Sequence, residues 1–323
     1  MAIKDSTWRR RAMLACAAAS VAWSLAACGS GSIENKLVPK RFVVFGAAMA
    51  DVGIGNTRYT VNDGSVNTWV EKAAVDYDKN LTILPSNQGG TGYARGNARI
   101  VAKPDAAGNA TTLTVKEQVD GFLGAGGKLA DNDVAVVNGG ISDIVFQMQA
   151  VLAGTQTEAQ MIVNLQQAGR DMGAQVRRLV QAGGTHVLAV GPYNLGKSIW
   201  ATQISRGDTL TDASLRFNEA LLLSMVDLGA SVLYVDAQLF FNLLIANPGG
   251  NNLIDATTIA CTSVDPGPGI GIGTNQVNSA LCTPTTVTSL DYKRLVFADA
   301  LYFTPVVNQL FGDFVQGRMR FRW

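Results

Sequence analysis

The sequence predicts one α/β domain: a mainly parallel β-sheet between two layers of helices, a single-domain three-layer α/β/α sandwich. Three observations carry that prediction. Short runs of strand character alternate with longer helical patterns, the order expected of parallel strands joined by helical crossovers. Each run is a nearly continuous series of Val, Leu and Phe, as strands covered on both faces require. A chain of 323 residues with 47% apolar content can also bury one large core, and nothing in it forces a division in two.

The strands are expected at Phe42 to Phe45, Val134 to Val137, His186 to Val190 and Val232 to Val235. Between the second and third, Glu158 to Ala182 places Met161, Leu165, Met172, Val176 and Leu179 at helical spacing. A further helix is expected after Thr211 or Asp212, either of which can cap it, with Leu215, Leu222 and Met225 facing inward. The last helix opens at Thr304-Pro305, a hydroxyl cap followed by proline at the first helical position. Two stretches depart from this rhythm. Residues 85–114, rich in Gly, Asn and Ala, form a long excursion near the mouth of a site. The run Asp265-Pro-Gly-Pro-Gly-Ile-Gly-Ile-Gly273 follows no strand and opens no helix, so it is expected to be a surface loop, not a phosphate cradle.

The 26 basic and 25 acidic side chains nearly cancel, which leaves no basic face for a nucleic-acid partner. At the N-terminus Lys4, Arg9, Arg10 and Arg11 precede an apolar run from Ala12 to Ala27, too short for a comfortable membrane span. Residues 1–27 therefore read as an export signal. It ends in Ser24-Leu-Ala-Ala-Cys28-Gly29, which resembles the lipobox of bacterial lipoproteins. That resemblance implies lipid attachment at Cys28, a lipidated tether over residues 28–40, and, from Gly29, the outer membrane of a bacterial envelope. Acyl chains anchor durably, at roughly 0.8 kcal/mol per buried methylene. With Cys16 removed and Cys28 acylated, Cys261 and Cys282 remain as one disulfide pair in an oxidising compartment. Two thiols and one histidine offer too few soft ligands for a metal site, and no cofactor is expected.

The chemistry turns on Arg41-Phe-Val-Val-Phe-Gly-Ala-Ala-Met-Ala-Asp-Val-Gly53. This segment resembles the nucleophile turn of the GDSL (SGNH) ester hydrolases, Phe-Gly-Asp-Ser-Leu-Ser-Asp-x-Gly, and later blocks follow that family's motifs in order. The resemblance covers residues 41–323 and implies an SGNH-hydrolase-like, flavodoxin-like fold with ester hydrolase activity. Gly46, Asp51 and Gly53 match, as does the context through Tyr59-Thr-Val and Asn67-Thr-Trp-Val70, but Ala48 fills the serine position and Ala47 precedes it. A methyl group has no lone pair, so an acyl-enzyme cannot begin there. In Tyr93-Ala-Arg-Gly-Asn-Ala98, Gly96 falls where the family presents a backbone N–H to the oxyanion, or else it only permits a tight turn. In Gly140-Ile-Ser-Asp143, Ser142 replaces an oxyanion-binding asparagine, a loss of donor worth about 10²–10³ in rate; alternatively Ser142 and Asp143 satisfy backbone groups of the turn. In Asp299-Ala-Leu-Tyr-Phe-Thr304, Asp299 is retained and Tyr302 stands at the histidine position. A phenol titrating near 10 is a poor base at neutral pH and is expected to pack, with its hydroxyl near Asp299 or water.

The single histidine, His186, begins a strand at its amino end, whereas ligands of open parallel sheets gather at the carboxyl ends. Ser65 has no histidine placed to serve it. One engineered change would account for Ala48 alone, not for Ala47, Ser142 and Tyr302 together. The leading expectation is thus an envelope lipoprotein of SGNH fold without triad hydrolysis, keeping a cleft for an acyl, lipid or glycan ligand or an envelope protein. Its alternatives are a secreted GDSL-type esterase or lipase working by a departed mechanism, with Asp299 positioning water, and a purely structural lipoprotein.

Overall fold

Strand β1 (Arg41–Gly46) is buried at every residue after its first, which places it in the middle of the molecule from the start. The computed structural model describes residues 37–323. The export signal, Cys28 and most of the tether lie outside the described residues. After β1 come α1 (Trp69–Val75), α2 (Val115–Gly124), β2 (Asp133–Asn138), α3 (Ile141–Leu152) and α4 (Glu158–Gln181). Then follow β3 (Val187–Val190), α5 (Ile199–Gln203), α6 (Gly207–Leu223), β4 (Val232–Tyr234) and α7 (Ala237–Ala246). The short strands β5 (Asp255–Ile259), β6 (Val264–Asp265), β7 (Gln276–Val277) and β8 (Leu295–Phe297) lead to the terminal helix α8 (Pro305–Arg322).

The order β1-β2-β3-β4, parallel throughout, makes the central sheet. Side chains alternate across it with the strand period of two. Phe42, Val44, Val136, Leu188 and Val190 face one layer, where Trp69 of α1, Phe241 of α7 and Phe311 of α8 pack. Val43, Phe45, Val137, Val187 and Ala189 face the other, against Val119 of α2, Met172 and Val176 of α4, and Phe217 of α6. These are the two helical layers of the α/β/α sandwich. All four strands fall where the sequence predicts them, within a residue at each end.

Helix α4 also matches: Thr157 caps it by accepting from the Gln160 N–H, and Met161, Leu165, Met172, Val176 and Leu179 are all buried. Each such side chain contributes about 1.5–3 kcal/mol by leaving water. Helix α6 differs. It begins at Gly207, a turn before Thr211, and its inward face is Leu210, Phe217 and Leu221. Leu215 and Leu222 are exposed, and Met225 is buried beyond the helix end. Packing against α4 and the sheet selects which stripe turns inward, and a run rich in leucine does not fix its own phase. At α8, Thr304 has the extended backbone of a cap, but its hydroxyl donates to the Leu295 carbonyl at 2.7 Å and leaves the helix uncapped by a side chain.

Within the excursion at 85–114, residues 91–93 lie beside β1: Val44 N–H donates to the Thr91 carbonyl (2.9 Å) and Tyr93 N–H to the Val44 carbonyl (2.7 Å). The chain after β1 therefore pairs on one side of it, while β2 pairs on the other. That reversal puts a topological switch at the carboxyl ends of β1 and β2, the usual place for a ligand in an open α/β sheet. Gly46 closes β1 at φ 154°, and a Cβ there would stand 2.2 Å from the Asn138 carbonyl oxygen. Its N–H and carbonyl both pair with the buried Gln118 amide of α2, at 2.8 and 3.0 Å. Sheet, helix and first loop are locked together at this point.

Cys261 and Cys282 form a disulfide with their Cα atoms 5.8 Å apart. Around it Val61, Ala260, Tyr292, Leu295 and Ala298 make a small separate core. The glycine-rich run inside this loop does not lie wholly on the surface. Ile270 and Ile272 are buried in the main core, and the Gly269 carbonyl accepts from the Asn97 side chain at 2.8 Å. The bridge spans 21 residues. Replacing both cysteines by alanine should lower unfolding free energy by about 3 kcal/mol in urea titration, with most of the loss recovered by no other single change in this loop.

Candidate functional site

The loops after β1, β2 and β8 converge above the carboxyl edge of the sheet, as the motif order predicts. They meet as a packed cluster. Ala48 is 2% exposed, Ser142 1% and Tyr302 2%, so none of the three lines an open cleft. The Tyr302 ring is buried edge-on to Tyr59, at 5.4 Å between centroids. Tyr193 lies beside them, donating its hydroxyl to the Leu301 carbonyl at 2.8 Å.

Asp299 is fully buried, and each of its oxygens is engaged. Oδ1 accepts the N–H groups of Leu301 (2.8 Å) and Tyr302 (2.7 Å), and Oδ2 accepts that of Ser279 (3.0 Å). Burial raises its pKa, and these backbone donors oppose the rise. The carboxylate thus clamps the β8–α8 turn to the disulfide loop. It does not touch the Tyr302 hydroxyl, as the sequence reading anticipated for the alternative to water; it holds that residue's N–H. Tyr302 titrates well above the ordinary tyrosine value, first because it is buried and then because Asp299 is near. A phenol held neutral in this way is no base.

Asp51 plays the same part in the first loop. Its Oδ1 accepts from Gly53 and Ile54, both at 2.9 Å, and its Oδ2 accepts from Gly96 at 2.9 Å. The Gly96 N–H, which the resemblance assigns to the oxyanion, is thereby given to a side chain of the same protein. Glycine at 96 answers to packing: an added Cβ would sit 1.8 Å from the Tyr59 hydroxyl oxygen.

Ser142 lies on the first turn of α3 with its hydroxyl buried and without a hydrogen-bond partner, close to the Tyr302 phenol. Asp143 satisfies a backbone N–H of the 85–114 excursion, across 43 residues of chain. Its Oδ2 accepts the Ile100 N–H at 3.1 Å, while Oδ1 stands 3.5 Å from Arg99 Nε. Arg99 is itself buried and stacks on Phe146, 4.0 Å from the ring centre. Burial pushes the Asp143 pKa up to about 6, against the pull of Arg99.

His186 stands at the opposite edge of the sheet, at the amino end of β3. Its ring meets Trp323 edge to face at 4.8 Å, and its Nδ1 is 3.1 Å from the Thr185 hydroxyl. Burial lowers its pKa. Ser65 is exposed and donates to Asp63 at 2.6 Å. The site therefore gathers Ala48, Gly96, Ser142, Tyr302 and Asp299 and brings them neither a free nucleophile nor an imidazole.

The open space lies to one side. A cavity of about 410 Å³ is lined by Asp51, Thr57, Tyr59, Arg95, Gly96 and Thr112, at the switch point between the first loop and the 91–96 segment. Arg95 supplies its positive charge, with Nε buried and without a hydrogen-bond partner; its field pulls down the pKa of Asp51, which burial raises. Neither Arg95 nor Gln118 stood out in the sequence, because their roles follow from which loops meet. A larger, more apolar cavity of about 630 Å³, lined by Lys197, Ile199, Ile245, Ile254 and Thr257, lies between α5 and β5, away from the motif residues.

No family model matches this chain, and no curated protein matches it. Among solved structures 26 chains match; one of them is 14% identical, with 86% of this chain and 96% of that chain covered, at a TM-score of 0.44. So distant a likeness carries no argument about activity.

Two outcomes test this account of the site. Asp299→Ala removes the acceptor of three buried N–H groups and should lower stability by about 3 kcal/mol or more, with Asp299→Asn in between, measured by urea unfolding. For Asp143, the folded protein holds the proton more tightly than the unfolded chain, whose carboxyl titrates near the ordinary value of 3.8. Its contribution to stability is present below about pH 4, is lost as pH rises to about 6, and is flat beyond. Asp143→Asn should flatten that segment of the stability profile.

Proposed function

We propose that this protein is an exported, lipid-anchored envelope protein that uses an SGNH-type α/β/α frame for binding instead of ester hydrolysis. One observation carries the reading: Ala48 and Tyr302 are both buried, while Asp299 and the Gly96 N–H are engaged inside the protein. Hydrolysis by this route needs a nucleophile, its base and free oxyanion donors together, and each of these is replaced or occupied. The alternative, an esterase with Asp299 positioning water, is opposed by that carboxylate's burial and by its three backbone partners.

The ligand site we favour is the cavity beside the old cleft. It offers one guanidinium, threonine hydroxyls and the Tyr59 ring, beside an Asp51 carboxylate whose oxygens are already taken by three backbone N–H groups, at the place where this fold class binds ligands. Such a lining suits a polar ligand bearing an anionic group, an acidic glycan or a carboxylate, better than a bare acyl chain.

Purified protein should hydrolyse short p-nitrophenyl esters no faster than buffer and take no fluorophosphonate label. Ala48→Ser with Tyr302→His should not restore turnover, since the oxyanion and carboxylate partners stay engaged. Native mass spectrometry should find a polar ligand on the protein, at least about tenfold weaker in Arg95→Ala. Stoichiometric labelling of any serine would overturn the non-hydrolytic reading. A copurified acyl lipid unaffected by Arg95→Ala would place the ligand in the larger apolar cavity.

A further inference from the structure

The amino ends of the strands form the other edge of the sheet, and the chain enters the fold there. Leu37 N–H donates to the carbonyl of Trp323 at 3.2 Å, and Lys40 N–H to that of Asn132 at 2.8 Å, so the segment before β1 is held against the end of α8. Arg322 donates to the Gly229 carbonyl and the Trp323 indole to the Ala230 carbonyl, both at 2.9 Å. The end of α8 is thereby tied to the turn that leads into β4. Three apolar side chains stand out on this edge: Val38 is 62% exposed, Val226 68% and Phe321 91%.

The charge around them is positive. Arg320 and Arg322 close α8, and their guanidinium groups bond backbone carbonyls instead of carboxylates. Lys40 is exposed at the start of β1, and Lys128 is exposed where its carbonyl accepts from Arg41. Of the acids nearby, Asp133 pairs with Arg41, Asp227 with Arg177 and Asp76 with Lys72, while Asp131 and Asp78 are exposed counter-charges. Aromatic and aliphatic groups ringed by cations form the usual lining of a surface that rests on anionic lipid.

We propose that this amino edge lies on an anionic bilayer, with Phe321 and Val38 among the headgroups and Lys40, Arg320 and Arg322 against lipid phosphates. The position of the tether agrees. The chain between Cys28 and Leu37 reaches at most about 30 Å when fully extended, so an anchor at Cys28 keeps this edge near the membrane. That last point rests on the lipoprotein reading; the face itself does not. In this pose the cavity at Arg95, at the carboxyl ends of the same strands, opens away from the bilayer.

The test uses residues 37–323, which contain every residue of the three cores and lack Cys28, so acylation plays no part in the result. This protein should float with vesicles of phosphatidylglycerol and phosphatidylcholine at low salt, detach at high salt, and ignore vesicles of phosphatidylcholine alone. Lys40→Glu should weaken binding about fivefold or more, and Phe321→Glu comparably, with unchanged thermal unfolding since both sites are exposed. No flotation at low salt, or flotation that neither substitution weakens, overturns the proposal. So does a dimer in sedimentation that Phe321→Glu dissolves, which would assign the face to a second copy. The anchor is read separately, as the mass of the acylated N-terminal peptide; its absence with flotation intact would remove the lipoprotein reading and leave this face standing.

Discussion

Two buried carboxylates set the arrangement of everything above the sheet. Asp299 gathers the N–H groups of Ser279, Leu301 and Tyr302, and Asp51 gathers those of Gly53, Ile54 and Gly96. A carboxylate in a dry environment is tolerable only when its oxygens are paired, and backbone N–H groups pair it without adding a second charge. The geometry that results is rigid: the disulfide loop is tied to the β8–α8 turn, and the first loop to the 91–96 segment. From this follow the inward pose of Tyr302 and the loss of the Gly96 N–H as a donor to anything bound.

The crevice then becomes a packing problem. With a methyl group at 48 and no imidazole, a water-filled cleft would leave apolar walls wet and polar atoms loosely met. Tyr302, stacked edge-on against Tyr59 and near Tyr193, fills that volume with ring area, and the three phenols remain neutral because burial and the Asp299 charge both disfavour phenolate. Aromatic pairs of this geometry add about 0.5–1.5 kcal/mol beyond their burial. Tyr302 is thus held twice, by its N–H on Asp299 and by its ring against Tyr59.

What the sequence disclosed follows from the range of the forces involved. The strands were legible because a strand covered on both faces must be apolar along its interior, and β1, β2 and β3 are, with polar residues only at the ends of β1 and β2. Helix α4 was legible because its stripe is long and regular; α6 was not, since Leu215 and Leu222 lie on one face and Leu210, Phe217 and Leu221 on another, and either set reads as the inward one. At the site, local motif matching found Ala48, Asp299, Ser142 and Tyr302. It could not see that Asp51 would take the Gly96 N–H across 45 residues of chain, or that Gln118 would pair with the Gly46 peptide across 72. Nor could it place the cavity at Arg95, whose walls come from three separate loops.

The sheet itself gives the molecule two chemically distinct ends. Parallel strands bring all carboxyl ends to one edge and all amino ends to the other, so the loops that can hold a ligand and the segment that enters from the N-terminus are kept apart by the strand length, roughly 20 Å for β1 and β2. The segment that enters at the amino edge, Leu37 to Lys40, therefore lies away from the switch point. His186 belongs to that entry edge, against Trp323, and its separation from the switch point is enforced by the direction of β3 and not by any substitution near the site. No rearrangement of side chains carries an imidazole from one edge of a parallel sheet to the other, so the single histidine of this chain stays at the amino edge, apart from the Asp51 and Asp299 clusters.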